Sequence, residues 1–257
     1  MTIPELPTLE VLESLEAPPV LAPYLDELLC DLPHLGTDPL AALALLRRHG
    51  LAAGARAVDL GCGSGIVSVA LAGELGCSVE GIDGHPPFVE RAVRRAAEAG
   101  VADRCRFRAG DLREALSGRD YDLAIFGAVG GVLGSLEETV RRVREVLRPG
   151  GLLLLDHAFA RAPAAASPAY PLHEEALTAL TRAGDTLLAE SAADAAEIRA
   201  CNEQFHRLIA ARAEAIARRV PGVASALAAY LARQTLEEAN LELAVRPVLW
   251  LLRKGGR

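Results

Sequence analysis

The run Asp59-Leu60-Gly61-Cys62-Gly63-Ser64-Gly65 sets a carboxylate ahead of three glycines at every second position. Glycine takes positive φ without steric cost and lets a ligand come close to the backbone, so such a turn suits a small molecule pressed against bare amides. Ala57-Val58 and Leu60 read as the end of a buried strand cut off by glycine, and Ile66 to Ala72 reads as a helix whose N-terminus points at the turn. Strand, turn and helix together make a nucleotide-type binding corner. A G-x-G-x-x-G dinucleotide turn counted from Gly61 needs glycine where Ile66 stands, and a phosphate loop needs a lysine, whereas the single lysine of the chain is Lys254. A tight strand-to-helix connection with no ligand is the plain alternative for the turn taken alone.

Further chemistry-bearing residues fall at the ends of the next predicted strands. Ser78 to Asp83 reads as a second strand ending in a carboxylate, whose two oxygens suit the paired hydroxyls of a ribose. Asp83 equally suits the N-cap of the helix that Pro86 and Pro87 help to start, and the two roles are compatible. A third strand, Arg104 to Ala109, runs into Gly110-Asp111-Leu112, and a fourth, Tyr121 to Gly127, opens on a small-residue loop. A helix from Ser135 to about Leu147 stops at Arg148-Pro149-Gly150-Gly151, and a fifth strand, Leu152 to His157, follows. Alternating strands and helices predict a parallel sheet with its ligand crevice beyond the carboxyl ends of the strands. Asp59, Gly61, Cys62, Gly63, Gly65, Asp83, Asp111 and Gly127 should converge there. His157 is expected to face the crevice or lie beside it, and its near-neutral titration makes it the first candidate base. A histidine merely hydrogen-bonded at a strand end fits it equally, and Asp156, His34, Tyr24 and Tyr170 are secondary candidates.

The D-x-G-x-G-x-G turn, the acids at Asp83 and Asp111, and the pattern L-R-P-G-G-x-L-x-L from Leu147 resemble the class I S-adenosylmethionine (SAM)-dependent methyltransferases over roughly residues 35–160. The resemblance implies an α/β fold: a seven-stranded, mostly parallel Rossmann-like sheet with helices on both faces, N-terminal helices and a C-terminal helical insertion. It implies SAM as cofactor and S-adenosylhomocysteine as product. Asp59, Gly61, Cys62, Gly63, Gly65, Asp83, Gly84, Asp111, Leu112 and Gly127 would hold the cofactor, with Asp111 on the adenine amino group and Leu112 packed on the ring. The implied chemistry is in-line displacement at the methyl carbon by an oxygen, nitrogen or carbon nucleophile. Pro33 to Pro39 loosely resembles the glycine-containing segment that small-molecule methyltransferases place near the methionine end of SAM.

The predicted organisation is a helical segment or lid (1–50), a SAM-binding core (51–191), a helical insertion (192–243) serving as cap or dimer contact, and a last strand with tail (244–257). Pro247 is awkward in a central strand, which puts that last strand at or near the sheet edge or shifts its start. Within the insertion, Asn202, Gln204, His206 and Tyr230 are candidate contacts to an acceptor, against a packing role. Residues 1–46 hold eight acids and no Lys or Arg; they read either as an acidic lid that selects a cationic substrate or as a solvated helical face.

Composition bounds the alternatives. With 257 residues, 51% of them hydrophobic, the chain can bury a large core. No apolar run spans a bilayer and no signal pattern opens the chain, so the expectation is a cytoplasmic protein without membrane contact. The five cysteines are scattered, with no C-x-x-C, and read as reduced thiols rather than a disulfide frame or metal site. A net charge of −7, no basic cluster, and Phe126-Gly127-Ala128-Val129 where base-amino methyltransferases carry a double-proline motif all point away from nucleic acid and toward a small-molecule acceptor. A non-catalytic SAM-binding sensor or partner subunit and an NAD-dependent oxidoreductase remain alternatives, and a homodimer is a candidate assembly.

Overall fold

The computed structural model describes residues 12, 13, 15–116 and 120–256. Seven strands form one sheet: β1 (Arg56–Leu60), β2 (Ser78–Asp83), β3 (Cys105–Ala109), β4 (Tyr121–Gly127), β5 (Leu147–Ala160), β6 (Thr186–Ala192) and β7 (Val245–Arg253), in the order β3-β2-β1-β4-β5-β7-β6. The first five run parallel, and β7 pairs antiparallel with both β5 and β6. Strand order reverses between β1 and β4, so the ends of β1 and β4 flank the switch point.

The longer helices are α1 (Pro39–Arg48), α2 (Ile66–Leu75), α3 (Pro86–Glu98), α4 (Leu136–Val143), α5 (His173–Thr181), α6 (Ala195–Arg219) and α7 (Ala224–Leu243). Leu43, Leu46, Leu71 and Ala96 from α1 to α3 pack on Leu123, Ile125 and Leu154 of one sheet face. Val140, Val143 and Leu180 from α4 and α5 pack on Leu153, Leu155 and Trp250 of the other. Both faces are covered, which is why these strands are apolar throughout instead of alternating.

A third apolar layer stands apart from the sheet. Leu21, Leu25 and Leu28 of the N-terminal segment pack against Ile209, Ile216, Leu227 and Tyr230 of α6 and α7, with Phe88 of α3 between them. Three acids fasten this segment: Glu27 pairs with Arg219 at 2.6 Å, Asp31 with Arg212 and Asp26 with Arg91. These acids hold the segment to α6 and α3, so their charge is not displayed as an acidic lid would display it. The helical pattern from Leu9 to Leu15 lies mostly outside the described residues, and a short helix, Leu25–Leu28, stands within the span Tyr24 to Leu32.

The region before β5 and the place of β7 refine the expectation. The helix expected to reach Leu147 ends at Val143, then tightens into a short turn, Arg144–Val146, before β5 begins at Leu147. β7 lies near the sheet edge rather than on it, between β5 and the edge strand β6. Pairing with β6 stops at Val248, so at Pro247 only β5 runs alongside. A residue with no N–H is tolerated there because no second ladder requires it.

Candidate functional site

The turn after β1 is held by its own neighbourhood. Gly61, Gly63 and Gly65 have φ of +81°, +51° and +73°, which an L side chain rarely adopts. The amides of Gly61 and Cys62 donate to the Ile82 carbonyl at 2.8 and 3.0 Å, and that of Gly65 to the Cys62 carbonyl at 2.8 Å. The Gly63 amide donates to Asp83 Oδ2 at 2.8 Å. The expectation of bare amides is therefore corrected: four of them already have acceptors, and the turn presents a backbone without side chains to the cavity. A Cβ on Gly61 would overlap Val129, and one on Gly63 would crowd Leu35 Cδ1 at 3.2 Å.

Asp83 accepts from Gly63 with one oxygen and from the His85 amide with the other, at 2.8 Å. The N-cap position of α3 is His85, so Asp83 bridges the glycine turn rather than capping the helix. Burial raises its pKa, against the lowering pull of the His85 and Gly63 amides. Asp59, 3% exposed, accepts from the Ser68 hydroxyl at 2.6 Å, and burial pushes its carboxyl up to about 6. Asp111 is gripped by the Arg113 guanidinium at 2.7 Å, which holds its pKa below the usual range.

These groups surround a cavity of about 480 Å³ at the carboxyl ends of the parallel strands, within the roughly 300–1,000 Å³ usual for small-molecule sites. Asp59, Gly61, Cys62, Gly63, Asp83, Gly84, Asp111, Leu112 and Gly127 all line it. Gly65 does not. It backs the turn against α3, where a Cβ would come within 2.7 Å of Ala92 Cβ. The wall also includes Leu35, Gly36 and Thr37 from the segment Pro33 to Pro39, Val129 from the loop after β4, and Leu15, Phe88 and Val132, which carry no motif in the sequence. Among the described lining residues Arg113 is the single cation, and it is engaged with Asp111.

His157 is not among the lining residues. Successive side chains of a strand take opposite faces. His157 shares the face of Leu155 and packs between Tyr170 and Trp250, with ring centroids 6.1 and 6.3 Å away. Its Nδ1 lies 2.8 Å from both the amide and the carbonyl oxygen of Ala158, and burial lowers its pKa. The structure therefore assigns it a packing position and replaces the expectation that it faces the crevice. Asp156 takes the opposite face, near Thr37, and like His157 does not itself line the cavity. Of the insertion candidates, His206 pairs with Glu238 at 3.0 Å and Asn202 with Glu242 at 3.2 Å, Gln204 is exposed and Tyr230 is buried in the third layer; none lines the cavity.

The residues present fit a nucleoside ligand such as SAM. Each Asp83 oxygen keeps a lone pair beyond its amide partner for a ribose hydroxyl, and Leu112 and Val132 supply apolar flanks for a base. Among the described residues no cluster of three or more His, Cys, Asp or Glu is placed to hold a metal, and no helix is long and apolar enough to cross a membrane.

Comparison with known proteins agrees with this geometry. Residues 57–151 match the family model described as a methyltransferase domain. A probable cobalt-precorrin-6B C(15)-methyltransferase (decarboxylating) of Methanothermobacter thermautotrophicus is 36% identical over 100 residues, 38% of this chain and 50% of that protein. A ubiquinone biosynthesis O-methyltransferase of a Methylobacterium species is 33% identical over 135 residues, 52% of this chain and 49% of that protein. The chain thus spans about half the length of the curated relatives it matches. In fold it is similar to a methyltransferase from Geobacter sulfurreducens solved with S-adenosylhomocysteine, with a TM-score of 0.73 at 24% identity over 86% of this chain and 94% of that one.

Proposed function

We propose that this chain is a class I SAM-dependent methyltransferase, as its methyltransferase-domain match and its fold support, and that it binds SAM in the cavity beside Gly61–Gly65 and transfers its methyl group to a small-molecule acceptor. The observation that carries the reading is the Asp83 carboxylate, which spans from the end of β2 to the Gly63 amide at the wall of the cavity.

Bound SAM supplies a methyl carbon already activated by its sulfonium, so the protein has to align and enclose the reactants. Asp83 fixes the ribose through its free lone pairs, and Leu112 and Val132 flank the base. Gly61 lets Val129, and Gly127 lets Thr37, pack against the backbone in the cavity wall. The third apolar layer contributes Leu15, Leu35 and Phe88 to the wall and excludes water from that end.

Three features support a small acceptor over a macromolecule. The cavity is walled by the N-terminal segment, its single lining cation is engaged with Asp111, and the net charge of −7 offers no footprint for nucleic acid. On this reading residues 51–191 with 244–257 are the SAM-binding core, and residues 192–243 cover the N-terminal segment instead of contacting the acceptor. The test is to incubate the full chain with SAM and a panel of phenols, amines and carbon acids, following S-adenosylhomocysteine by mass spectrometry. Acceptor-dependent release supports methyl transfer. Tight SAM binding without release for any class returns the chain to a SAM-binding sensor.

A further inference from the structure

Thr37 is 6% exposed, lines the cavity, and its hydroxyl has no hydrogen-bond partner of good geometry. That hydroxyl stands beside the Asp156 carboxylate, and a hydroxyl turned toward a carboxylate keeps its lone pairs for a donor that arrives with a ligand. The position of Thr37 is enforced: a Cβ on Gly127 would overlap its hydroxyl, so Gly127 is what lets Thr37 close against the end of β4. Beside Gly127 in the sheet register stands Asp156, at the β5 end. Burial pushes its carboxyl up to about 6, and the Thr37 hydroxyl draws it back down. Gly127 of β4 and Leu249 of β7 flank Asp156 and bring no titratable group, and no charged side chain contributes to its titration.

Asp83 and Asp111 occupy the β2 and β3 side of the switch point, whereas Thr37, Gly127 and Asp156 occupy the β4 and β5 side. A nucleoside held by Asp83 therefore directs its reacting end toward Thr37. We propose, resting on the methyltransferase reading, that Thr37 and Asp156 form the proton-accepting subsite of the acceptor, which is an O–H or N–H nucleophile on a neutral or cationic molecule. The nucleophile gives its proton to the Thr37 hydroxyl, which passes its own to the Asp156 carboxylate. The nucleophile's electron pair forms the bond to the methyl carbon, and the pair of the broken carbon–sulfur bond stays on sulfur. An anionic acceptor is disfavoured because, among the described lining residues, the single cation is Arg113, which is engaged with Asp111.

The subsite can be tested without knowing the acceptor. Sinefungin carries C–NH3⁺ where SAM carries S⁺–CH3, so its ammonium probes the place where the nucleophile approaches. The full chain and its Asp156→Asn and Thr37→Val variants are titrated calorimetrically with sinefungin and with S-adenosylhomocysteine. The expected result is a sinefungin preference of about tenfold or more in the parent, rising as pH climbs through 6, because Asp156 accepts only when ionised. Asp156→Asn removes most of the preference and its pH dependence, Thr37→Val reduces it, and S-adenosylhomocysteine affinity stays within about twofold. An unchanged preference in Asp156→Asn overturns the proposal. So does a parallel loss of S-adenosylhomocysteine affinity, which would place Thr37 and Asp156 on the methionine end of the cofactor. A parent that is folded yet binds neither ligand instead refutes the methyltransferase reading itself.

Discussion

Asp83 and Gly63, 20 residues apart, are joined by a 2.8 Å hydrogen bond from the Gly63 amide to the Asp83 carboxylate. The bond ties the end of β2 to the turn that follows β1, so the residue assigned to the ribose also sets the shape of the turn beneath the ligand. Recognition and backbone geometry are thereby coupled through one carboxylate.

Asp83→Ala removes both the tie and the ribose acceptors. Charge-assisted hydrogen bonds are worth about 1.5–3 kcal/mol, so SAM affinity should fall by about 10- to 150-fold while far-ultraviolet circular dichroism stays unchanged. Calorimetric titration measures this directly. A dissociation constant equal to that of the parent would remove Asp83 from the site.

Asp111→Ala should cost less. Its carboxylate is gripped by Arg113, and the pair is half-exposed, so a ligand amino group competes with an existing partner in a solvated place. The expected loss of SAM affinity is no more than about 1 kcal/mol. A loss as large as that of Asp83→Ala would show that Asp111 releases Arg113 and becomes a principal contact.

Buried carboxylates predict how stability varies with pH. Asp59 titrates at about 6 in the fold against an ordinary 3.8, so between these values the folded chain keeps a proton that the unfolded chain has released. Stability contributed by this group is therefore greatest below about pH 4 and declines as pH rises to about 6. Asp59→Asn keeps an acceptor for Ser68 without the buried charge, and should stabilise the ligand-free chain at pH 8 by on the order of 1–2 kcal/mol. Urea unfolding at pH 5 and pH 8 provides the check, and equal destabilisation at both would contradict the assignment.

His157→Ala should act on stability rather than on binding. The ring fills the space between Tyr170 and Trp250, so its loss should cost about 1–2 kcal/mol and leave the SAM dissociation constant unchanged. Thermal melts and calorimetry on the same sample separate the two effects. A weakened SAM affinity with an unchanged melting temperature would return His157 to the site.

Much of the parallel half was legible in the sequence, because glycines end its strands sharply. β2 and β4 run over Ser78–Asp83 and Tyr121–Gly127 as the pattern indicates, and nine of the ten residues expected at the cofactor converge on one cavity. The choice between Asp156 and His157 was not legible. Leu152 to Leu155 are apolar at every position because both faces of β5 are covered, so no alternation reveals which face either residue takes. The segment Pro33 to Pro39 is expected near the cofactor, but Thr37 within it is not singled out, since its burial depends on closure against Gly127, 90 positions away in the chain. The role of the 192–243 helices followed from arginines meeting acids that no local pattern pairs, Arg212 with Asp31 and Arg219 with Glu27.

The central claim is that the glycine turn and Asp83 hold SAM, and calorimetric titration of the full chain with SAM, with NAD in parallel, addresses it most directly. The expected result is one site per chain with micromolar affinity for SAM and no heat with NAD. Folded protein that gives no heat with SAM, or that binds NAD instead, would contradict it.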